Sequence, residues 1–150
     1  MARRSWKFML AVLLFFIACR ESVVFAKGVV PDKEILEKKA EQALQSLKEN
    51  YERKDLQGFF RGVSDEATFD VSDLRFQLSS RFSNFGSLEL AFFTDKTLVE
   101  GQKVLFKTHW QRRMVNNQTG QVETNEGSAD WTFEVGETVE WVAIRGDSPF

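Results

Sequence analysis

The chain has 150 residues, 43% apolar and 28% charged, a balance that gives one globular domain a substantial core and excludes intrinsic disorder. A net charge of -2 and a pI near 5.5 exclude a nucleic-acid surface, because no cluster of Lys and Arg lies beyond the first residues. The 15 phenylalanines and four tryptophans against one tyrosine supply aromatic volume with few polar tips, which first of all fills the inside of a curved sheet.

Met1 to Ala26 has the three parts of a secretory signal: the cations Arg3, Arg4 and Lys7, the apolar run Phe8 to Ala18, and Val24-Phe25-Ala26 at the cleavage position. The run is only 11 residues, too short to span a bilayer as a stable helix. Export to the periplasm or the medium is the expectation, with cleavage after Ala26 and a single domain over residues 27–150. Cys19 follows Phe16-Ile17-Ala18 and resembles a bacterial lipoprotein box, so lipidation there is the alternative and the only expected route to a membrane. Cleavage after Ala26 removes four basic residues and one acidic residue, which takes the net charge from -2 to -5, and it removes the only cysteine. Disulfides, thiol chemistry and Cys-based metal sites are then excluded from the mature chain.

After Pro31, Asp32 is placed to cap a helix running to about Lys54, with Leu36, Ala40, Ala43, Leu44, Leu47 and Tyr51 on one stripe. A second, short helix begins at Asp55 and buries Phe59, Phe60 and Val63, with Gly62 and Ser64 at its end. Ala67 to Asp70 reads as a brief strand. Ser72 or Asp73 then caps a third helix carrying Leu74, Leu78 and Phe82 at four-residue spacing. From there the period changes to two. Leu88, Leu90 and Phe92 alternate with Glu89 and Ala91, and a Glu100-Gly101 turn leads into two long strands, Lys103 to Val115 and Gln121 to Val135, folded about Asn116 to Gly120. Opposed about that turn, Phe106 faces Trp131, Thr108 faces Ala129, Trp110 faces Gly127 and Arg112 faces Asn125. The other face pairs Lys107 with Asp130 and His109 with Ser128. A last strand, Thr138 to Arg145, follows the Gly136-Glu137 turn. A two-residue turn there puts Val142 and Ile144 on the aromatic face, and one extra residue puts Trp141 and Ala143 there instead.

Three helices, one short strand and a meander of about four strands make an α+β layout with the helices on one face. That order, over Lys33 to Arg145 and with the stretch Glu126-Gly127-Ser128-Ala129-Asp130-Trp131-Thr132-Phe133, resembles the nuclear transport factor 2-like superfamily. The resemblance implies three N-terminal helices packed into a strongly curved antiparallel sheet, a cone. The superfamily holds ketosteroid isomerases, SnoaL-like polyketide cyclases, dehydratases and many non-catalytic binding modules, so the fold leaves function open. It also implies a homodimer paired through the outer face of the sheet.

Strand period puts Phe106, Trp110, Arg112 and Trp131 on one face. Lining a cone, they form an aromatic pocket with a cationic rim, suited to an apolar molecule bearing a carboxylate. The competing account makes the aromatics filler against the first helix and sends Arg112 to solvent at the hairpin tip. His109, the only histidine, shares the outer face with Lys107 and Gln111 and reads as solvated. An enzyme of the ketosteroid-isomerase type would need Asp70 or Asp73 as base and Tyr51 as donor, but capping accounts for the two aspartates and core packing for the tyrosine. No spacing of His, Asp and Glu suggests a metal, and no cofactor is expected. Arg145-Gly146-Asp147-Ser148 and the sequon Asn117-Gln118-Thr119 read as turns. The function expected is an exported, non-catalytic domain binding a small apolar ligand or a protein partner. The alternative is a small lyase or isomerase using a carboxylate base.

Overall fold

The structure, a computed structural model, describes residues 32–150; the signal segment, the Ala26 cleavage position and Cys19 lie outside them. Helix α1 (Lys33–Glu52) starts where Asp32 accepts the Glu34 N–H at 3.1 Å, and its stripe Leu36, Ala40, Leu44, Leu47 and Tyr51 is buried. Lys54, with φ at 58°, turns the chain into α2 (Leu56–Phe60), which Asp55 caps through the Gly58 N–H at 2.8 Å. Helix α3 (Val71–Asn84) is capped by neither Ser72 nor Asp73. Asp70 caps it, accepting the N–H groups of both at 2.9 Å, so the helix starts two residues earlier than a cap at Ser72 would set it.

No strand forms over Ala67–Asp70. The Ser64 hydroxyl accepts the Glu66 N–H at 3.3 Å and its carbonyl accepts the Ala67 N–H at 3.2 Å, a local turn that competes with extended backbone. The chain from Gly62 to Thr68 still borrows the edge of the last strand through three backbone bonds: Trp141 N–H to Gly62, Ser64 N–H to Trp141 and Thr68 N–H to Val142.

Four antiparallel strands follow in sheet order: β1 (Phe85–Glu100), β2 (Lys103–Asn116), β3 (Val122–Val135) and β4 (Val139–Gly146). The β2–β3 register matches the sequence pairing throughout, with Phe106 opposite Trp131, Trp110 opposite Gly127 and Arg112 opposite Asn125. Val104, Phe106, Thr108, Trp110, Arg112 and Met114 are buried on the concave face while their neighbours Lys107, His109 and Gln111 are exposed. On the convex face Lys107 pairs with Asp130 at 3.3 Å, and His109 Nδ1 meets Asp95, the residue that bulges out of β1, at 3.1 Å.

The last strand satisfies both alternative registers in succession. A three-residue loop, Gly136 to Thr138, brings Trp141 opposite Phe133, and a bulge then brings Ile144 opposite Trp131. Without the bulge one of these two side chains would point outward, because strand residues alternate faces. Trp141 is fully buried, and its indole N–H is satisfied by the Ala143 carbonyl at 2.9 Å.

Gly127 is required by contact. A Cβ there would lie 2.6 Å from Cζ2 and 2.9 Å from Cε2 of the Trp110 indole. Gly127→Val should therefore lower stability by about 1 to 3 kcal/mol through overpacking, and Trp131→Ala by about 3 to 5 kcal/mol through the cavity it leaves. Urea unfolding midpoints check both, and an unchanged midpoint for Gly127→Val would contradict the indole's position.

Candidate functional site

The helices close one side of the curved sheet and its concave face the other, so the interior is a cone walled by side chains from both. Trp131 has no exposed surface, yet its indole N–H is satisfied: it donates to the Thr108 hydroxyl at 2.9 Å, which donates in turn to the Ala129 carbonyl at 3.1 Å. Phe92 packs edge-on against Trp131 at 5.3 Å, and Phe69 lies on Trp141 at 4.4 Å.

The middle of this interior is occupied by the chain itself. After β4, Gly146 takes φ of 92° and the Asp147 N–H bonds the Ser128 carbonyl at 2.9 Å, which turns the chain inward. Phe150 is only 3% exposed. Its ring stands 4.7 Å from Phe59, 5.2 Å from Tyr51, 5.5 Å from Trp131 and 6.0 Å from Trp141. Two residues from β2 hold the segment: Trp110 Nε1 donates to the Asp147 carbonyl at 2.8 Å, and Arg112 Nη1 donates to the Pro149 carbonyl. Gly146 and Asp147 do make a turn, but its product is a core residue three positions on. The signal for it was an apolar Pro149-Phe150 pair ending an otherwise polar stretch.

Three of the four expected pocket residues, Trp110, Arg112 and Trp131, meet around this segment. Phe106 lies further along β2, with its ring against Phe133 at 6.0 Å. Arg112 does not reach solvent at the hairpin tip. It is 9% exposed, and its Nη2 donates to Asn125 Oδ1 at 3.2 Å. The enzyme set is not assembled in one place. Asp70 caps α3, Asp73 accepts a bond from Gln77 at 2.7 Å, and both lie at the mouth of a cleft of about 170 Å³ that is also lined by Trp141, Ile144 and Phe150. Tyr51 is buried and does not line that cleft; its hydroxyl lies against Met114 Sδ at 3.9 Å. Among the described residues no group of three or more His, Cys, Asp or Glu side chains is placed to hold a metal ion.

Sequence reasoning passed over Arg81. It falls on the stripe Leu74, Leu78 and Phe82 of α3, and a cation at that phase of an apolar face was the available signal. Its guanidinium and that of Arg112 both act on the Tyr51 phenol. Burial pushes the phenol pKa up from 10.0, and the two arginines pull it back only partly. Burial, and then the neighbouring charge of Arg81, lower the pKa of Arg112.

No protein-family model matches the chain, and no curated protein matches it in sequence. Solved structures do match in shape. A nuclear transport factor 2-like superfamily protein from Salmonella enterica aligns at a TM-score of 0.63 and 12% identity, over 78% of this chain and 93% of its own. A conserved protein from Planctomyces limnophilus aligns at 0.68 and 11%, over 77% and 100%. A candidate dehydratase of the same superfamily from Streptomyces avermitilis aligns at 0.64 and 11%, over 75% and 95%. The chain therefore has the nuclear transport factor 2-like cone fold.

Tyr51 is the only tyrosine, so its titration can be read without ambiguity. The folded chain holds the phenolic proton to higher pH than the unfolded chain, and this contribution to stability is complete below the unfolded value and lost as pH rises through the folded one. The midpoint of tyrosinate absorbance should therefore lie above pH 10.0 in the folded protein and return to the ordinary value in denaturant. A folded-state midpoint at or below 10.0 would mean that the two arginines outweigh burial.

Proposed function

We propose that this chain is an exported, non-catalytic domain whose cone binds a small apolar ligand or an apolar side chain of a protein partner. The observation that carries this reading is the seat of Phe150: an aromatic ring held by four aromatic neighbours, on a short segment that two donors anchor. A ring from another molecule fits the same seat if the segment swings out, and the cleft beside Ile144 and Phe150 is the way in. Indole, phenyl, phenol and guanidinium groups face this seat, and the nearest aspartates, Asp70 and Asp73, are engaged at the start of α3. Export rests on the signal features of residues 1–26. A mature chain that starts at Lys27 by mass spectrometry would support it, and a diacylglyceryl-modified Cys19 would replace it with a lipid anchor.

One observation favours the lyase or isomerase reading: Asp70 and Asp73 line the same cleft as Trp141 and Phe150. Titration of tryptophan emission with a neutral aromatic amide, phenylacetamide, separates the two. Binding should saturate in the parent protein and tighten roughly tenfold in Phe150→Ala, which removes the competing ring. It should not change in Asp70→Asn or Asp73→Asn. Absence of saturable binding in both the parent and Phe150→Ala would remove the reading.

A homodimer through the convex face would centre on Phe93, which is 44% exposed and stacked on His109 at 4.8 Å. Trp141 points inward and adds nothing to that face, which otherwise carries Lys107, Gln111 and Asp130. Light scattering of the mature chain should give twice the monomer mass, and a monomer at high concentration would exclude the pairing.

A further inference from the structure

Two cations sit in the wall of the cone with no acid among the described residues paired to them. Arg81 comes from the last turn of α3, Arg112 from β2, and both guanidinium groups face the hydroxyl of Tyr51 from α1. Arg81 Nη1 and Arg112 Nε are buried without any hydrogen-bond acceptor among the described residues. Among the described residues neither guanidinium takes part in an ion pair. Glu123, opposite Met114 near the hairpin tip, acts on Arg112 only from beyond ion-pair distance.

Arginine does not shed its proton to escape burial, so both charges persist, and each orphaned N–H forfeits the bond it made in water. Anchoring the segment at Pro149 accounts for Arg112 Nη1 and Asn125 for Nη2. It leaves Arg112 Nε, like Arg81 Nη1, without an acceptor among the described residues. The missing partner is an anion with oxygens spaced to take donors from two guanidinium groups. What surrounds these donors is apolar. The Tyr51 ring has Phe82 at 5.8 Å and Phe150 at 5.2 Å, and Arg112 lies 5.7 Å from the centre of the Trp110 ring.

We propose that Tyr51, Arg81 and Arg112 seat the carboxylate of an aryl acid whose ring takes the place of Phe150. This rests on the cone binding an apolar ligand and names the class of that ligand. The carboxylate takes the Arg112 Nη1 donor from the Pro149 carbonyl and offers acceptors to the two orphaned nitrogens, so the segment leaves as the acid enters.

The test compares sodium phenylacetate with phenylacetamide, the same ring without the charge, by tryptophan emission on the mature chain. Phenylacetate should bind at least roughly tenfold more tightly, the scale of one charge-assisted contact. Arg81→Gln should bring the two affinities together. Arg112→Gln also loosens the segment at Pro149 and Asn125, so Arg81→Gln, whose Nη1 holds nothing, carries the decision. Tyr51→Phe should lose part of the preference. Amide binding as tight as phenylacetate binding, or a preference that survives in Arg81→Gln, overturns the anion seat and leaves the cone reading standing. Absence of binding by both compounds overturns the two together.

Discussion

The register of β2 against β3 is the constraint from which the rest of the interior follows. Side chains alternate faces along a strand, so a slip of one residue would turn Phe106, Trp110 and Arg112 outward and bring Lys107 and His109 in. The turn makes that slip costly. The Asn116 N–H donates to the Gln121 carbonyl at 2.9 Å, its side-chain oxygen accepts the N–H groups of Gln118 and Thr119, and Gly120 supplies a φ of 66°. With the register held, Gly127 comes to lie under Trp110 and leaves the indole its place. Thr108 comes beside Trp131 and satisfies the one polar atom of that buried ring.

The same register explains why the cone closes on its own chain. Trp110, laid across Gly127, directs its N–H at the Asp147 carbonyl, and Arg112, one rung further on that face, reaches the carbonyl of Pro149. Two donors two residues apart thus hold two carbonyls two residues apart, and Phe150 is delivered to where its ring meets Phe59, Tyr51, Trp131 and Trp141 at once. These anchors are polar and reversible, whereas the contacts of the ring are apolar and without direction. Any occupant that brings an acceptor for Arg112 and a ring for the aromatic seat competes on both counts.

The long, periodic parts of the sequence were legible because one rule governs each. The stripe of α1, the caps Asp32 and Asp55, and the pairing of β2 with β3 follow from helix phase, short polar side chains and strand alternation, and the cone fold followed from their order. The misreadings arose where local rules compete. Over Ala67–Asp70 a serine turn outcompeted a strand propensity. At β4 the sequence favoured two registers, and the bulge granted both, because tertiary burial of Trp141 and Ile144 outweighs one interrupted rung. The face carrying Trp110, Arg112 and Trp131 was read correctly from alternation. Its occupant was not legible, because the approach of Phe150 depends on contacts distant in sequence and on a left-handed Gly146 that propensity treats as an ordinary turn.

Arg81 and Arg112 distinguish a filled core from a built site. A core that needs only to be filled does not gain from two guanidinium groups, since apolar side chains of similar volume pack there without the desolvation cost and without mutual repulsion. If Arg112 served only to hold the segment, a neutral donor such as glutamine could bond the Pro149 carbonyl at lower cost, and the second cation from α3 would be a pure loss. The pair comes from different elements and acts on one phenol, and Arg81 Nη1 and Arg112 Nε are buried without an acceptor among the described residues. If the proposed anion seat is occupied, the acceptors that an interior arranged in this way lacks while it holds only its own segment are supplied by the ligand. Under the proposed reading, that would be the energetic pattern of a binding site whose empty state is covered by a stand-in.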